Sequence, residues 1–310
     1  MKKVFFNRIP RHEPYGGGSH FVTAMVDYLK TKGCEVCFDI VPGIDTMFMI
    51  DPRPGDKGYS INHILAYKYN YNPEVKILHR INECDARKNT TFMDNMLIKS
   101  ANYCDSVIFI SEWLQKYFNT KGMNTSSTSI IYNGCNLNHF YASEKNNNKK
   151  IKLVTHHWSD NWLKGFDLYK QIDEYMNEND DIEFTYVGRY NKAYIPKNTK
   201  IVNPLHGESL GEELRNHDIY VTASRSEPCG MHHIEGAASG LPVIYHEDTG
   251  GIVEMCKNHG ESYDTFNEFL TKLSLVRDNL DKYRKKINYS NLDIEKCCEK
   301  FYNKMLEMHK

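Results

Sequence analysis

The sequence has no long hydrophobic run and no excess of charge of one sign. No segment approaches the roughly 20 apolar residues that cross a membrane, and residues 1–10 lack the apolar stretch and small-residue cleavage site of a secretory signal. We therefore expect a cytoplasmic protein without a strong membrane signal. The 39 Lys and Arg residues are matched by 40 Asp and Glu residues, which argues against nucleic acid as a partner.

Recognisable metal-site patterns are also missing. The nine cysteines include Cys34-x2-Cys37 and the adjacent pair Cys297-Cys298, but neither has a second pair of ligands. Reduced thiols are therefore expected rather than disulfides or zinc. His156 and His157 are adjacent on a predicted strand, so their side chains should point to opposite faces. We expect no metal site.

The chain has 310 residues, enough for two domains of roughly 150 residues each. Short apolar runs alternate with helical patterns in both halves. In the first half, strands are predicted at "KKVFFNRI", "EVCFDIV", "TMFMID", "KILHRI", "SVIFIS" and "TSIIYNG"; in the second, they are predicted at "IKLVTHH", "IEFTYVG", "KIVNPL", "DIYVTAS" and "LPVIYHE". This alternation predicts an α/β protein with doubly wound parallel sheets. The Asn- and Lys-rich segment "SEKNNNKKIK" predicts a linker. We expect Rossmann-like domains at residues 1–148 and 149–291 and a terminal helix at 292–310.

A glycine cluster follows the first predicted strand in "HEPYGGGSHF". Gly16, Gly17 and Gly18 would let a ligand approach the backbone, and the start of the next helix would offer amides to an anion. A tight turn without a ligand explains the glycines equally well. The spacing is not G-x-G-x-x-G, and Asp39 lies inside the second strand rather than at its end, so a nicotinamide cofactor is disfavoured.

The second half opens with a strand, a polar loop and a helix in "THHWSDNWLKGFD". Lys164 lies where its ammonium group would reach a phosphate at the helix entrance, and Gly165 would keep that entrance open. A lone loop lysine is more often simply solvated.

Two glutamates stand on either side of a predicted helix start in "EPCGMHHIE". Pro228 favours an extended Glu227, and Glu235 falls in the first turns of the helix. Amides at the helix start attract negative charge, while carboxylates accept hydrogen bonds from hydroxyl groups. The pattern suits a ligand with both phosphate and polyol parts. Glycoside hydrolysis by two carboxylates roughly 5–9.5 Å apart is an alternative, and simple helix capping is another.

In combination these motifs resemble glycosyltransferase family 4, whose members are retaining enzymes of the GT-B fold. The resemblance covers most of the chain and is carried by Glu227-x7-Glu235, "IYVTASRSEPCG", "ASGLPVI", "DTGGIVE", "LKGFD" and "YNGCNLNHF". It implies two facing Rossmann-like domains, with the terminal helix crossing back to the first. It also implies transfer of a hexose-type sugar from a UDP- or GDP-linked donor to a hydroxyl of a glycan, lipid or small-molecule acceptor. Neither a cofactor nor a bound metal ion is implied.

The resemblance implies a role for each matching residue. Glu227 would contact the donor sugar, Lys164 the diphosphate, and His79, at the end of "KILHRI", would lie near the reacting sugar; these three are the expected catalytic residues. The expected donor-binding residues are Gly16, Gly17, Gly18, Ser159, Cys229, Gly230, Met231, His232 and Glu235, with Glu235 on the ribose.

One position departs from the family pattern. Ser159 stands where members carry an arginine five residues before the lysine, so the leaving diphosphate would recruit Arg80, Arg189 or Arg225, or rely on amides. The first domain is also short for the family, and the loops 51–62 and 82–91 are expected to choose the acceptor. Two alternatives stay open: an epimerase or donor hydrolase on the same fold, and a non-catalytic protein that binds sugar nucleotides.

Overall fold

The computed structural model describes residues 1–10, 17–125, 127–144 and 150–310. Within these ranges the chain forms two compact units, Met1–Tyr132 together with Ile294–Lys310, and Asn133–Asp293. The boundary predicted between residues 148 and 149 lies outside the described residues. The second unit starts at Asn133 because the residues from there on bond within it: Asn133 Nδ2 donates to the Cys229 carbonyl, and the Cys135 amide donates to the Leu292 carbonyl.

The strands and helices follow one another in the order expected for an α/β protein. The strands are β1 (Lys3–Phe6), β2 (Glu35–Cys37), β3 (Thr46–Met49), β4 (Lys76–Ile81), β5 (Ser106–Phe109), β6 (Thr128–Ile130), β7 (Ile151–His157), β8 (Ile182–Gly188), β9 (Lys200–Val202), β10 (Ile219–Thr222), β11 (Val243–His246) and β12 (Gly260–Tyr263). The helices are α1 (Gly17–Thr31), α2 (Ile61–Asn70), α3 (Asp85–Lys88), α4 (Met93–Ala101), α5 (Glu112–Thr120), α6 (Phe166–Tyr175), α7 (Gly207–Arg215), α8 (Met231–Ala238), α9 (Ile252–Cys256), α10 (Phe266–Arg277), α11 (Leu280–Arg284) and α12 (Ile294–Glu307). No helix of the described ranges is long and apolar enough to span a membrane.

Each unit contains one parallel sheet of six strands. The first has the order β2-β1-β3-β4-β5-β6, and the second has the order β12-β11-β10-β7-β8-β9. The direction of strand succession reverses between β1 and β3 in the first sheet and between β7 and β10 in the second. Ligands of open α/β sheets bind outside the carboxyl ends of the strands at such a reversal. The predicted doubly wound α/β architecture is confirmed.

The strands form because nearly continuous apolar runs can be buried on both faces of a parallel sheet. In β4, for example, every residue from Ile77 to Ile81 is buried. Helices α5 and α10 begin at a side chain that accepts one of their first free amides: Ser111 accepts from the Leu114 amide, and Thr265 accepts from the Glu268 amide. One strand of the structure, β12, was not predicted from the sequence patterns. β12 has the sequence "GESY", and only its first and last residues are buried, so it lacks an apolar run.

Helix α12 belongs to the core of the first unit. Its buried residues recur at helical spacing and face α1 and the first sheet: Ile294, Cys297, Cys298, Phe301 and Met305. The Phe301 ring lies 4.9 Å from the Phe21 ring of α1 and 5.6 Å from the Phe48 ring of β3, measured between centroids. The last segment of the chain therefore completes a core that the first segment begins.

We expect Phe301→Ala to destabilise the first unit by about 3–5 kcal/mol, because it removes a fully buried ring and leaves a cavity. Urea unfolding monitored by hydrogen exchange of peptides from residues 17–109 measures the effect. Glu299→Ala, at an exposed position of the same helix, is the control and should change the free energy of unfolding by less than about 0.5 kcal/mol. Equal stability of the two variants would contradict the packing described here.

Candidate active site

A buried ion pair joins two loops at the carboxyl edge of the second sheet. Lys164, in the loop after β7, places its Nζ 2.6 Å from Oε2 of Glu227, in the loop after β10. Their side chains are only 8% and 4% exposed. β7 and β10 are the strands between which the strand order reverses, so the pair lies where a ligand is expected. The structure thus brings together two of the three predicted catalytic residues, 63 positions apart in sequence.

The backbone before Glu227 is strained. Ser226 has φ +50°, in the left-handed region that side chains other than glycine rarely adopt. Three backbone hydrogen bonds hold this conformation: the Ser226 amide donates to the Asp248 carbonyl, the Glu227 amide to the Thr249 carbonyl, and the Gly251 amide to the Glu227 carbonyl. Strain of this kind persists only where neighbours enforce it, and it is concentrated at functional sites. The segment "DTGG" therefore serves to fix Glu227.

Gly165 lets the lysine loop approach the loop after β10. Its φ is +95°, and a Cβ atom there would lie 2.1 Å from the Ala223 Cβ and 2.5 Å from the Ala223 carbonyl oxygen. No side chain fits at that distance. Glycine at 165 is thus required by close contact between the two loops that carry Lys164 and Glu227, as well as by the positive φ.

Helix α8 begins directly after Glu227. Gly230 is its N-cap, and the first amides of the helix, from Met231 onward, have no acceptor within the helix. A Cβ at Gly230 would lie 3.1 Å from the Glu227 carboxyl carbon and 2.4 Å from Nδ1 of His232, so the carboxylate, the helix start and His232 are neighbours. Burial, and then the charges of neighbours that include Lys164, lower the pKa of His232 well below its usual value. His232 is a neutral imidazole, with Nε2 3.1 Å from the Thr222 hydroxyl.

The second glutamate has a partner that the sequence did not reveal. Glu235 Oε2 lies 2.7 Å from His156 Nε2, and the other ring nitrogen of His156 lies 3.1 Å from the Tyr220 hydroxyl. Glu235 and His156 are both buried. One carboxylate oxygen of Glu235 is therefore oriented by an imidazole that Tyr220 orients in turn. The only available signal was the position of His156 near the end of the strand at the reversal.

The residue at the family's arginine position caps its own loop: Ser159 Oγ accepts from the Asn161 amide at 3.2 Å. Of the three candidate arginines, Arg80 belongs to the first unit, is 1% exposed, and lies 4.1 Å from the Phe21 ring. Arg225 is paired with Asp167 at 2.6 Å. Arg189 is exposed, follows β8, and lies 4.1 Å from the Trp158 ring, beside Ser159 in sequence.

The predicted site residues of the first unit are the glycine cluster and His79. Gly17 and Gly18 begin α1, whereas Gly16 lies outside the described residues. His79 lies within β4, is completely buried, and neither of its ring nitrogens has a hydrogen-bond partner among the described residues. Burial lowers the pKa of His79 to about 3, against an opposing effect of the Asp51 charge, so the ring is neutral. Two unpaired nitrogens in a buried ring are costly and need an explanation.

A cavity of about 350 Å³ opens at the carboxyl edge of the first sheet. Its walls come from the ends of β1, β3 and β4 and from the start of α1, and they include Arg8, Asp51, Arg53, Asn82 and Glu83. Asp51 and Asn82 begin the two loops expected to choose an acceptor. Over the residues with described positions, no group of three His, Cys, Asp or Glu side chains is arranged to hold a metal ion.

The family comparison concerns the unit that contains the ion pair. Residues 145–290 match the family model of glycosyl transferases group 1. This segment is a glycosyl transferases group 1 domain. It includes Lys164, Glu227 and Glu235, and the prediction that the protein is a glycosyltransferase is confirmed by the match. A comparison with curated proteins gave no significant match.

Solved structures resemble the whole chain. A sucrose-phosphate synthase from Thermosynechococcus elongatus is 14% identical with a TM-score of 0.75, over 100% of this chain and 99% of that one. HepE from Anabaena, in complex with UDP-glucose, is 13% identical with a TM-score of 0.71, over 99% of this chain and 100% of that one. WaaG, a glycosyltransferase involved in lipopolysaccharide biosynthesis, is 13% identical with a TM-score of 0.67, over 97% of this chain and 99% of that one. At these identities the likeness establishes the GT-B fold around the group 1 domain.

We expect either Lys164→Met or Glu227→Gln alone to destabilise the group 1 domain, with the larger loss, about 3–5 kcal/mol, for Lys164→Met, which leaves an uncompensated buried carboxylate. The double variant should lose less than the sum of the two single variants, since no charge is left unpaired. Thermal and urea unfolding of all four proteins measures this coupling. Lys170→Met, which breaks an exposed pair with Glu174 on α6, is the control and should be nearly neutral. Strict additivity would contradict a direct interaction.

Proposed function

We propose that this protein is a cytoplasmic, retaining glycosyltransferase of the family 4 type. It transfers a hexose-type sugar from a UDP- or GDP-linked donor to an acceptor hydroxyl without a metal ion. The observation that carries the proposal is the buried Lys164–Glu227 pair beside the start of α8, at the strand reversal of a group 1 domain.

The donor binds to the second unit in this proposal. Lys164 and the first amides of α8 meet the diphosphate, because a cation and a helix N-terminus both attract phosphate. Glu227 accepts hydrogen bonds from the donor sugar, and Glu235, oriented by His156, accepts them from the ribose. The complexes of Anabaena HepE with UDP-glucose and with UDP and glucose support a nucleotide-sugar donor.

The chemical step depends on charge stabilisation at the leaving group. As the bond between the sugar and the diphosphate breaks, negative charge grows on the phosphate, and groups held in place before the reaction stabilise it. Lys164 is such a group, because its pair with Glu227 and the close contact at Gly165 restrict its position. Retention then results from attack on the same face of the sugar, with the leaving phosphate accepting the acceptor's proton. Glu227 orients the sugar and stabilises charge rather than acting as a nucleophile.

The arginine missing at position 159 is replaced by Arg189 in this proposal. Arg189 lies at the carboxyl end of β8, next to β7, and its amide donates to the His157 carbonyl. Its guanidinium stacks on Trp158, and no carboxylate among the described residues forms an ion pair with it. Arg225 is less suited, because Asp167 already compensates its charge.

The first unit supplies the acceptor side. The loops that begin at Asp51 and Asn82 form walls of its cavity, and Gly18 lies at the same edge. His79 stays a prediction as a catalytic residue. Its neutral ring offers one donor and one acceptor, but it does not line the cavity.

We expect Glu227→Ala and Lys164→Ala to lower sugar transfer by at least a thousandfold, because each removes a group that acts in the transition state. A thermal-shift screen of UDP- and GDP-sugars identifies the donor through its stabilisation of the native state, and chromatography of the products measures transfer, with EDTA present throughout. Wild-type activity should persist in EDTA. Lys170→Ala should retain full activity.

Three outcomes would overturn the proposal. Full transfer activity in either folded variant would remove Lys164 or Glu227 from the reaction. Conversion of the donor with the same products with and without acceptor would indicate an epimerase or a hydrolase. Tight donor binding without turnover over a broad acceptor panel would indicate a binding protein.

We expect Arg189→Ala to lower kcat about a hundredfold with little change in donor affinity, as for loss of one group that stabilises developing charge. Arg225→Ala is the matched control, and its kcat should change by less than about threefold, because that side chain is compensated by Asp167. Steady-state kinetics with the identified donor measure both variants. If only Arg225→Ala lowers kcat strongly, Arg225 rather than Arg189 replaces the missing arginine.

A further inference from the structure

The charged groups around the first-unit cavity neutralise one another. Three cations, Arg8, Arg53 and Lys88, and three anions, Asp51, Asp56 and Glu83, line the cavity. The carboxylates of Asp51 and Glu83 are largely buried, with side chains 15% and 13% exposed. Among the described lining residues, cations and anions are therefore equal in number.

The pairing is direct and continuous. Arg53 Nη2 lies 2.5 Å from Asp51 Oδ2 and 2.9 Å from Glu83 Oε1, so one guanidinium bridges both carboxylates. Arg8 Nη2 lies 3.0 Å from the same Asp51 oxygen, and Lys88 pairs with Glu83. Burial would raise the pKa of Asp51, but hydrogen bonds and charge from Arg53 and the charge of Arg8 lower it instead, so the carboxylate is ionised.

The same cavity also has an uncharged side chain in its wall that can form hydrogen bonds, that of Asn82. The side-chain amide of Asn82 has no hydrogen-bond partner within the described part of the chain, and its Nδ2 lies 3.7 Å from the position of a Cβ on Gly18. An amide both donates and accepts, and ionised carboxylates have unused lone pairs. Ile50, Pro52 and Leu97 add apolar wall. A ligand that carries hydroxyl groups next to apolar C–H surface would match both the hydrogen-bonding groups and the apolar wall.

An added anion would fit poorly. The start of α1 at Gly18 would attract it, but Arg8, Arg53 and Lys88 are already paired, and a phosphate or carboxylate would face the carboxyl groups of Asp51 and Glu83. Like charges brought together with loss of water are costly. The volume of about 350 Å³ lies at the lower end of the range of small-molecule sites, roughly 300–1,000 Å³, and suits a small ligand.

We propose that this cavity binds an uncharged sugar unit of the acceptor through its hydroxyl groups and discriminates against acceptors that carry a phosphate or carboxylate there. The inference rests on the proposed function, because it assigns the acceptor of the same reaction. Asn82 forms hydrogen bonds with the hydroxyl groups of the sugar, and the paired carboxylates repel anions.

The test uses the full chain and two readouts. Saturation-transfer NMR measures binding of methyl glycosides of glucose, galactose and N-acetylglucosamine, and of glucose 6-phosphate and glucuronate, without need of turnover. Transfer assays with the identified donor give kcat/KM for the same compounds, and hydrolysis of the donor without acceptor measures donor turnover independently of the acceptor. At least one neutral glycoside should bind and react, with kcat/KM at least tenfold above its charged counterpart.

Two variants separate the groups involved. Asn82→Ala should lower kcat/KM for the neutral glycoside about 5- to 10-fold through KM, as for one lost hydrogen bond. Glu83→Gln leaves an unpaired cation. The kcat/KM of the charged acceptor, divided by that of the neutral acceptor, should therefore rise about tenfold. Glu35→Gln, which breaks the exposed pair with Lys3 in the same unit, is the control and should change neither value.

The outcomes distinguish the two proposals. If the protein turns over the donor but prefers phosphorylated or carboxylated acceptors, the proposed acceptor class is wrong. The same holds if NMR detects no bound neutral glycoside. In both cases the proposed transferase function still stands. Failure of Glu83→Gln to change the selectivity also overturns the proposed acceptor class. A different result would overturn the proposed transferase function instead: a neutral glycoside binds, Asn82→Ala weakens that binding, and the protein does not turn over any donor.

Discussion

The buried ion pair between Lys164 and Glu227 is the constraint around which three loops of the second unit are arranged. Two charges removed from water repay their desolvation only when their geometry is good and their remaining hydrogen bonds are made. That requirement explains the features around them: the positive φ of Ser226, the backbone bonds from residues 248–251, and the contact that only glycine permits at position 165. The pair therefore depends on loops that follow three different strands.

The two units have similar sheet architectures but place their ion pairs in different settings. Both are doubly wound sheets with a strand reversal, and both place ionic groups at the carboxyl edge. In the second unit the pair is nearly closed to solvent and lies at a helix start, an environment that suits a diphosphate and its sugar. In the first unit the ion pairs form the wall of an open cavity, where they are balanced and surround an amide. In the proposed function, charge stabilisation and acceptor selection thus depend on different arrangements of the same residue types.

Much of the fold could be predicted, because apolar runs such as "KILHRI" and "DIYVTAS" specify buried strands locally. β12 could not, since "GESY" becomes a strand only through its neighbour β11. The start of the second unit at Asn133 was also hidden, because it depends on hydrogen bonds to Cys229 and Leu292, which are distant in sequence. Among site residues, His156 was considered only as a metal ligand and rejected, whereas the structure pairs it with Glu235.

By itself the sequence determined the α/β class, the two sheets, and the motifs that carry Lys164, Glu227 and Glu235, because these depend on local periodicity and spacing. Only the tertiary structure decided which groups meet: lysine with glutamate across 63 positions, histidine with the second glutamate, and three cations with the carboxylates of Asp51 and Glu83 at one cavity. It also distinguished Arg189, stacked on Trp158, from Arg225, paired with Asp167, and Arg80, buried in the first unit. The physical reason is that electrostatic pairing depends on distance and burial, and neither is encoded in the spacing of residues along the chain.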